Sequence, residues 1–285
     1  MKRIVLAAIA ACLPLSAHAV ELPRIFADGM VLQRDQPIPV WGRSDAGARI
    51  AVSFAGAKTV TQADAQGAWR IELPAQRAGG PYQMRIDDGK APRELRDVLV
   101  GDVWLASGQS NMEWPLAQAA DAPAEIARAT DPLIRHFKIP KSWSGEAQAQ
   151  LAGGKWVASS PQAAGEFSAV AHFFARELGK TTDVPIGVID SSWGGSRIEA
   201  WMDGPSQHLD ARAMAELGRK MREADERVLA QTRRNLARWP SLPADDAGWQ
   251  AAALDQREWA PIKVPALWES GRGARGGGVA WACGT

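Results

Sequence analysis

The spacing of hydrophobic positions changes twice along the chain. From Leu22 to about Asp97 the apolar residues fall in short alternating runs, such as Ile38 to Trp41, Ile50 to Phe54, Trp69 to Leu73 and Gln83 to Ile86. Turn-forming clusters separate them at Asp45-Ala46-Gly47, Asp64-Ala65-Gln66-Gly67 and Ala78-Gly79-Gly80-Pro81. This pattern predicts a small all-β, sandwich-like region over residues 20–97. Val98 to Ala106 is then almost continuously apolar, broken by Gly101-Asp102, and has the signature of a strand buried in a parallel sheet. A helix is predicted from Phe167 to Lys180, with Phe167, Val170, Ala171, Phe174 and Leu178 on one face, and a second buried strand from Val184 to Asp190. Strand, crossover helix and strand make residues 98–207 an α/β region, a parallel sheet with helices on its faces. Residues 208–238 place Ala, Leu and Met among charges at helical spacing, which predicts an amphipathic helix within a connector spanning 208–245. Trp249, Trp259 and Trp268 then open a β-like segment over 246–285, and Gly271 to Gly278 has a flexible composition.

The N-terminus changes the picture of where such a protein works. Lys2 and Arg3 precede an apolar run from Ile4 to Leu15, and Ala17-His18-Ala19 supplies a small-x-small cleavage pattern. Residues 1–19 therefore read as a signal peptide, with Val20 as the mature N-terminus and a periplasmic or secreted destination. The alternative is a lipoprotein box at Ile9-Ala10-Ala11-Cys12, anchored through Cys12. About twelve apolar residues interrupted by Pro14 are too few to span a bilayer, and no later run is longer, so no integral membrane segment is expected after cleavage. Loss of Lys2 and Arg3 takes the formal charge from +1 to about −1, which gives no electrostatic reason to expect nucleic acid as a partner. Only Cys283 would remain, so no internal disulfide is expected. At 285 residues and 46% hydrophobic, the chain can build one large domain or two smaller ones. Thirteen Trp against one Tyr is an unusual balance; indole faces suit sugar rings, although most Trp serve packing.

Two loops carry the candidate chemistry. Ser107-Gly108-Gln109-Ser110 directly follows the first buried strand, at the carboxyl end where α/β enzymes collect reactive groups. Gly108 permits a tight turn, and a helix starting after Ser110 would offer free backbone N–H groups to a developing oxyanion. By itself, a Gly-x-Ser is also an ordinary strand-to-helix cap. Ser191-Ser192-Trp193-Gly194-Gly195-Ser196 follows the second strand, and its paired glycines allow backbone N–H groups to approach a substrate closely.

The stretch Gly-Asp-Val-Trp-Leu-Ala-Ser-Gly-Gln-Ser-Asn-Met-Glu-Trp-Pro-Leu, Gly101 to Leu116, resembles the nucleophile block of bacterial sialate O-acetylesterases, carbohydrate esterases of SGNH-hydrolase type. Residues 22–41 are similar to the family's N-terminal β region, and Pro185 to Trp201 to its second block. The resemblance implies an SGNH-hydrolase-like α/β fold with Ser110 as nucleophile. The oxyanion would be held by the Ser110 N–H and by one of Gly194 and Gly195, without distinguishing which glycine donates. It implies an acetylated carbohydrate as substrate, with sialic acid first and other glycans such as xylan next. No metal or organic cofactor is expected, and oligomeric state is left open.

The family's later blocks, a Trp-x-Gln-Gly-Glu-like segment and an Asp-x-x-His-Pro-like segment supplying the base, have no counterpart here, and residues 246–285 look like the start of a β-galactosidase-like β domain. His136, His172 and His208 follow the leader, and none has Asp two or three residues before it. His172 is expected to be a packed or partly exposed helix residue, and His136 and His208 bystanders. With no catalytic base, the chain alone is expected to be inactive or nearly so. The competing expectation is a secreted carbohydrate-binding protein without catalysis.

Overall fold

A computed structural model describes residues 20–238. The expected signal peptide with Cys12, the expected β-like segment over 246–285 with Trp249, Trp259 and Trp268, and Cys283 lie outside the described residues. The chain divides into two units at Met214/Ala215.

The first unit begins with the alternating segments. Its strands are β1 (Val31–Gln33), β2 (Ile38–Arg43), β3 (Arg49–Phe54), β4 (Ala57–Gln62), β5 (Ala68–Leu73), β6 (Gly79–Asp87) and β7 (Arg93–Gly108). In β5 the alternation is plain, because Trp69, Ile71 and Leu73 are buried while Arg70 and Glu72 face solvent. β2 and β5 pair as an antiparallel ribbon, and β4, β3, β6 and β7 form one side of a larger sheet. Ile38, Val40, Ile71 and Leu73 from the ribbon share one core with Ile50, Val52, Phe54, Met84 and Ile86 from the sheet. Gly67 closes the turn before β5 at φ +79°, where a Cβ would stand 2.3 Å from the Ser44 carbonyl oxygen.

The all-β and α/β regions share a strand. The division expected at residue 97 falls within β7, whose sixteen residues pair with β6 antiparallel and with β1 parallel before passing into the parallel sheet. There follow α1 (Ser110–Glu113), α2 (Ala122–Arg128), β8 (Asp131–Lys138), β9 (Trp156–Ser159), α3 (Ala169–Thr182) and β10 (Ile186–Ser192). Strand β10 lies between β7 and β8, parallel to both, and β9 closes the sheet antiparallel to β8. The result is a mixed α/β sheet with flanking helices. β8 and β9 carry no long apolar run and were not expected from the sequence pattern.

Two expectations need correction. Val98, Leu99 and Val100 are buried, but Trp104 and Leu105 are 45% and 67% exposed. Beyond Gly101, β7 has β10 on one side and no strand on the other among the described residues, so its apolar run lies at a sheet edge. The expected face of α3 is also wrong. Ala171, His172 and Ala175 are buried, and Ala171 and Ala175 pack with Ile134, Ile186 and Val188. Val170 and Phe174 instead face outward, with the Phe174 ring edge-on to Trp104 at 5.0 Å. Small alanines let the helix lie close on the sheet, and this outweighs the larger apolar side chains that periodicity favours.

The second unit is described as far as Arg238, where helix α4 (Ala211–Arg238) ends. Arg219 pairs with both Glu216 and Glu223 on it, one turn apart in each direction, and Leu217, Val228, Leu229 and Leu236 are exposed.

Candidate active site

Both candidate loops leave the carboxyl ends of adjacent parallel strands. Register pairing of Ser107 with Ser191 and of Gly108 with Ser192 carries the two chains to the same edge, and the Trp193 N–H donates to the Gly108 carbonyl at 2.9 Å. Gly108 takes φ +142°, a left-handed value open mainly to glycine, as the strand turns into α1. Ser110 is the first residue of α1 and is exposed, and its hydroxyl makes no hydrogen bond among the described residues. A Cβ built on Gly194 would stand 3.5 Å from both Cα and Cβ of Ser110. Serine and glycine loops therefore meet, as the strand-end argument requires.

The Gly194 N–H is not free. It donates to Oε2 of Glu113, one helical turn after Ser110, while Oε1 of Glu113 pairs with the Lys141 ammonium. Lys141, and then the Gly194 N–H, hold the Glu113 carboxyl below its ordinary 4.5. Gly195, at φ +78°, makes no backbone hydrogen bond among the described residues and has open space where a Cβ would stand. Asp190, near the end of β10, is 2% exposed. Its Oδ1 accepts from the Ser192 hydroxyl at 2.6 Å and its Oδ2 has no partner. Burial raises its pKa, against the pull of Ser192 and Lys138.

A cavity of about 690 Å³ opens beside these loops, lined by Glu113, Ser192, His136, Lys138, Lys141 and Phe167 among others. His136 lies parallel to Phe167 with ring centroids 3.9 Å apart, and both its nitrogens are buried without partners. Burial, with a smaller contribution from His172, drops its pKa to about 3. His172 is buried in α3 with its pKa lowered by burial and by Arg176. His208 follows a 3₁₀ turn, Pro205–Gln207, at φ +59°. None of the three hydrogen-bonds Ser110. Among the described residues no group of three His, Cys, Asp or Glu side chains is placed to hold a metal ion.

The sequence reading named Ser110, Gly194 and Gly195, which the fold brings together, and missed Glu113, Lys141 and Asp190. Glu113 and Asp190 both stand inside the quoted blocks. Nothing in their spacing reveals a carboxylate that bridges two loops, because the bridge exists only once β7 and β10 are paired.

Residues 100–230 match the family model described as carbohydrate esterase, sialic acid-specific acetylesterase. This segment is similar to that esterase family. A sialate O-acetylesterase of Rattus norvegicus is 34% identical over 191 residues, covering 60% of this chain and 35% of that protein. The Homo sapiens sialate O-acetylesterase is 32% identical over 196 residues, 62% of this chain and 38% of that one. The chain thus spans little more than a third of the length of these relatives. A crystal structure of a carbohydrate acetylesterase from Xanthomonas citri is similar at 57% identity and a TM-score of 0.67, over 69% of this chain and 45% of that one. The segment shared with the esterase family contains the Ser110 loop, Glu113 and the Gly194-Gly195 loop.

Proposed function

We propose that the protein is an exported carbohydrate O-acetylesterase that uses Ser110 as its nucleophile, with O-acetylated sialic acid as first substrate and acetylated glycans such as xylan as the alternative. The observation that carries this reading is the meeting of Ser110 with the glycine loop, where a Cβ built on Gly194 would stand 3.5 Å from Ser110, at the carboxyl edge of adjacent parallel strands. The Ser110 oxygen attacks the acetyl carbonyl, and the negative charge forms on the carbonyl oxygen. The Ser110 N–H and a glycine N–H hold it there until the sugar alkoxide leaves with a proton. Water then attacks acetyl-Ser110 and releases acetate. Because Glu113 already engages the Gly194 N–H, Gly195 is the glycine left free to donate in this arrangement.

The reading gives this chain little activity by itself. No histidine among the described residues hydrogen-bonds Ser110, and residues 239–285 contain none. Without a base a serine hydroxyl is a weak nucleophile, and loss of a triad member costs about three to six orders of magnitude in rate. The test is acetate release from an O-acetylated sialoside and from acetylated xylo-oligosaccharide by the purified chain and by Ser110→Ala. Slow release that disappears in Ser110→Ala is the expected result. Release that survives Ser110→Ala overturns the serine mechanism, and turnover in the ordinary enzyme range of about 1–10³ s⁻¹ overturns the missing base.

A further inference from the structure

A second cavity, of about 420 Å³, lies on the β2–β5 ribbon, and none of its lining residues belongs to the serine or glycine loops. Trp41 and Arg70 stand directly opposite each other across the ribbon and both face outward, Trp41 being 38% exposed. The Trp41 ring is braced edge-on by the buried Phe26, with centroids 4.6 Å apart, so the indole is held rather than free to swing. Gly42 and Trp69, the next pair in register, also line the cavity. A Cβ at Gly42 would stand 2.8 Å from Cζ2 of Trp69 and 2.4 Å from the Glu21 carbonyl oxygen, so only glycine lets this indole come so close to the strand. Trp69 is 4% exposed, and its Nε1–H has no hydrogen-bond partner. A buried indole donor left unpaired in a well-packed ribbon is unusual enough to require an explanation. At the rim, the Gln150 side-chain amide donates to Glu21 Oε1 at 3.1 Å.

The charges around this cavity balance. Arg43 and Arg70 line it together with Glu21 and Asp64; Arg43 donates to the Gln66 carbonyl, Arg70 pairs with Glu72, and Asp64 accepts from the Gln66 and Ala68 N–H groups. A polyanion has no net positive charge to bind here, and an acyl chain would need a lining without these polar groups. The combination suits a ligand with one apolar face and a perimeter of hydroxyls, and the volume falls within the range of small-ligand sites. We propose that this cleft is a non-catalytic carbohydrate-binding site that seats a pyranose ring of a glycan against Trp41, with its hydroxyls at Arg70 and Gln150. The site holds glycan at the β region, apart from the serine loop, and does not depend on Ser110 being a nucleophile.

The test uses the full chain with 3′-sialyllactose and xylohexaose as probes, by calorimetric titration and saturation-transfer NMR. One or both probes should bind, with transfer strongest at ring protons of one sugar face. Affinity should fall about tenfold or more in Trp41→Ala and measurably in Arg70→Ala, and remain unchanged in Ser110→Ala. Circular dichroism verifies that each variant is folded, and Arg70→Ala carries the test if Trp41→Ala is not. Absence of binding by both probes up to about 10 mM, weaker than any useful lectin-like site, overturns the proposal. So does binding that both ribbon substitutions leave intact.

Discussion

The Glu113 carboxylate accepts a hydrogen bond from the Gly194 N–H, so the residue one turn after Ser110 fixes the loop that faces it. Glu113 is in turn held by Lys141. Its lowered pKa means that this linkage stabilises the fold fully above the ordinary 4.5 and is lost as pH falls through the lower folded value. In protein labelled with ¹⁵N-glycine, the Gly194 amide resonance should therefore move in acid, below pH 4.5, while Gly195 moves much less. In Glu113→Gln the acid step should vanish. Glu113→Ala should cost about 1 kcal/mol in urea unfolding, small because the group is partly solvated. A Gly194 resonance indifferent to both pH and the Gln variant would rule the linkage out.

Two glycines at this sheet should respond differently to alanine. A Cβ at Gly101 would meet the Pro185 carbonyl oxygen at 1.9 Å, a backbone atom fixed by the pairing of β7 with β10. Gly101→Ala should therefore cost about 3 kcal/mol or more in denaturant unfolding. A Cβ at Gly194 would meet Glu113 Oε2 at 2.7 Å, the far end of a side chain that can swing aside. Gly194→Ala should cost about 1 kcal/mol, with the Glu113 contact as the casualty. Equal losses would contradict this difference in what each methyl meets.

What the sequence makes legible follows from which interactions are local. Ile38 to Trp41 and Trp69 to Leu73 announce a half-buried ribbon because alternation is a property of neighbouring residues. Ser110 and Gly194-Gly195 are legible because each terminates an apolar strand. The outward turn of Trp104 and Phe174 is not legible, since an apolar run does not say whether another strand will cover it. Nor does the alternation of β2 and β5 disclose that Trp69 ends with its N–H unpaired under Gly42; that depends on the approach of Glu21 from another segment.

Arg135 is another contact that only the fold assembles. Its side chain is buried, forks onto both oxygens of Asp97 at 2.8 and 3.0 Å, and also donates to the carbonyls of Gly29 and Pro132. It thereby ties β8 to the turn before β1 and to β7. Arg135→Met should lower stability by about 3 kcal/mol, because the stranded carbonyls lose their donors while Asp97, half exposed, returns to water. Arg135→Lys should recover only part of this, as an ammonium cannot reproduce the fork. Urea unfolding of the three proteins checks the order, and a Lys variant as stable as the parent would show that charge alone suffices.

His136 gives the fold a dependence on pH of definite sign. In the folded protein it is neutral down to about pH 3, because burial against Phe167 disfavours the imidazolium. In the unfolded chain it protonates near its ordinary 6.5. Between these values the unfolded state binds the extra proton, so the stability this neutral histidine contributes is complete above 6.5 and drains as pH falls toward 3. The slope is about 1.4 kcal/mol for each pH unit from this one group. His172, also shifted downward, adds to the same trend. In His136→Phe, which keeps an aromatic ring against Phe167, the stability curve between pH 6.5 and 4 should be shallower by about one proton, whatever the substitution does to stability at pH 7.5. Urea midpoints at pH 7.5, 6, 5 and 4 separate the two effects. Parallel curves would mean that His136 takes up its proton in the folded protein, and hence that the cavity beside Glu113 admits water as far as the imidazole.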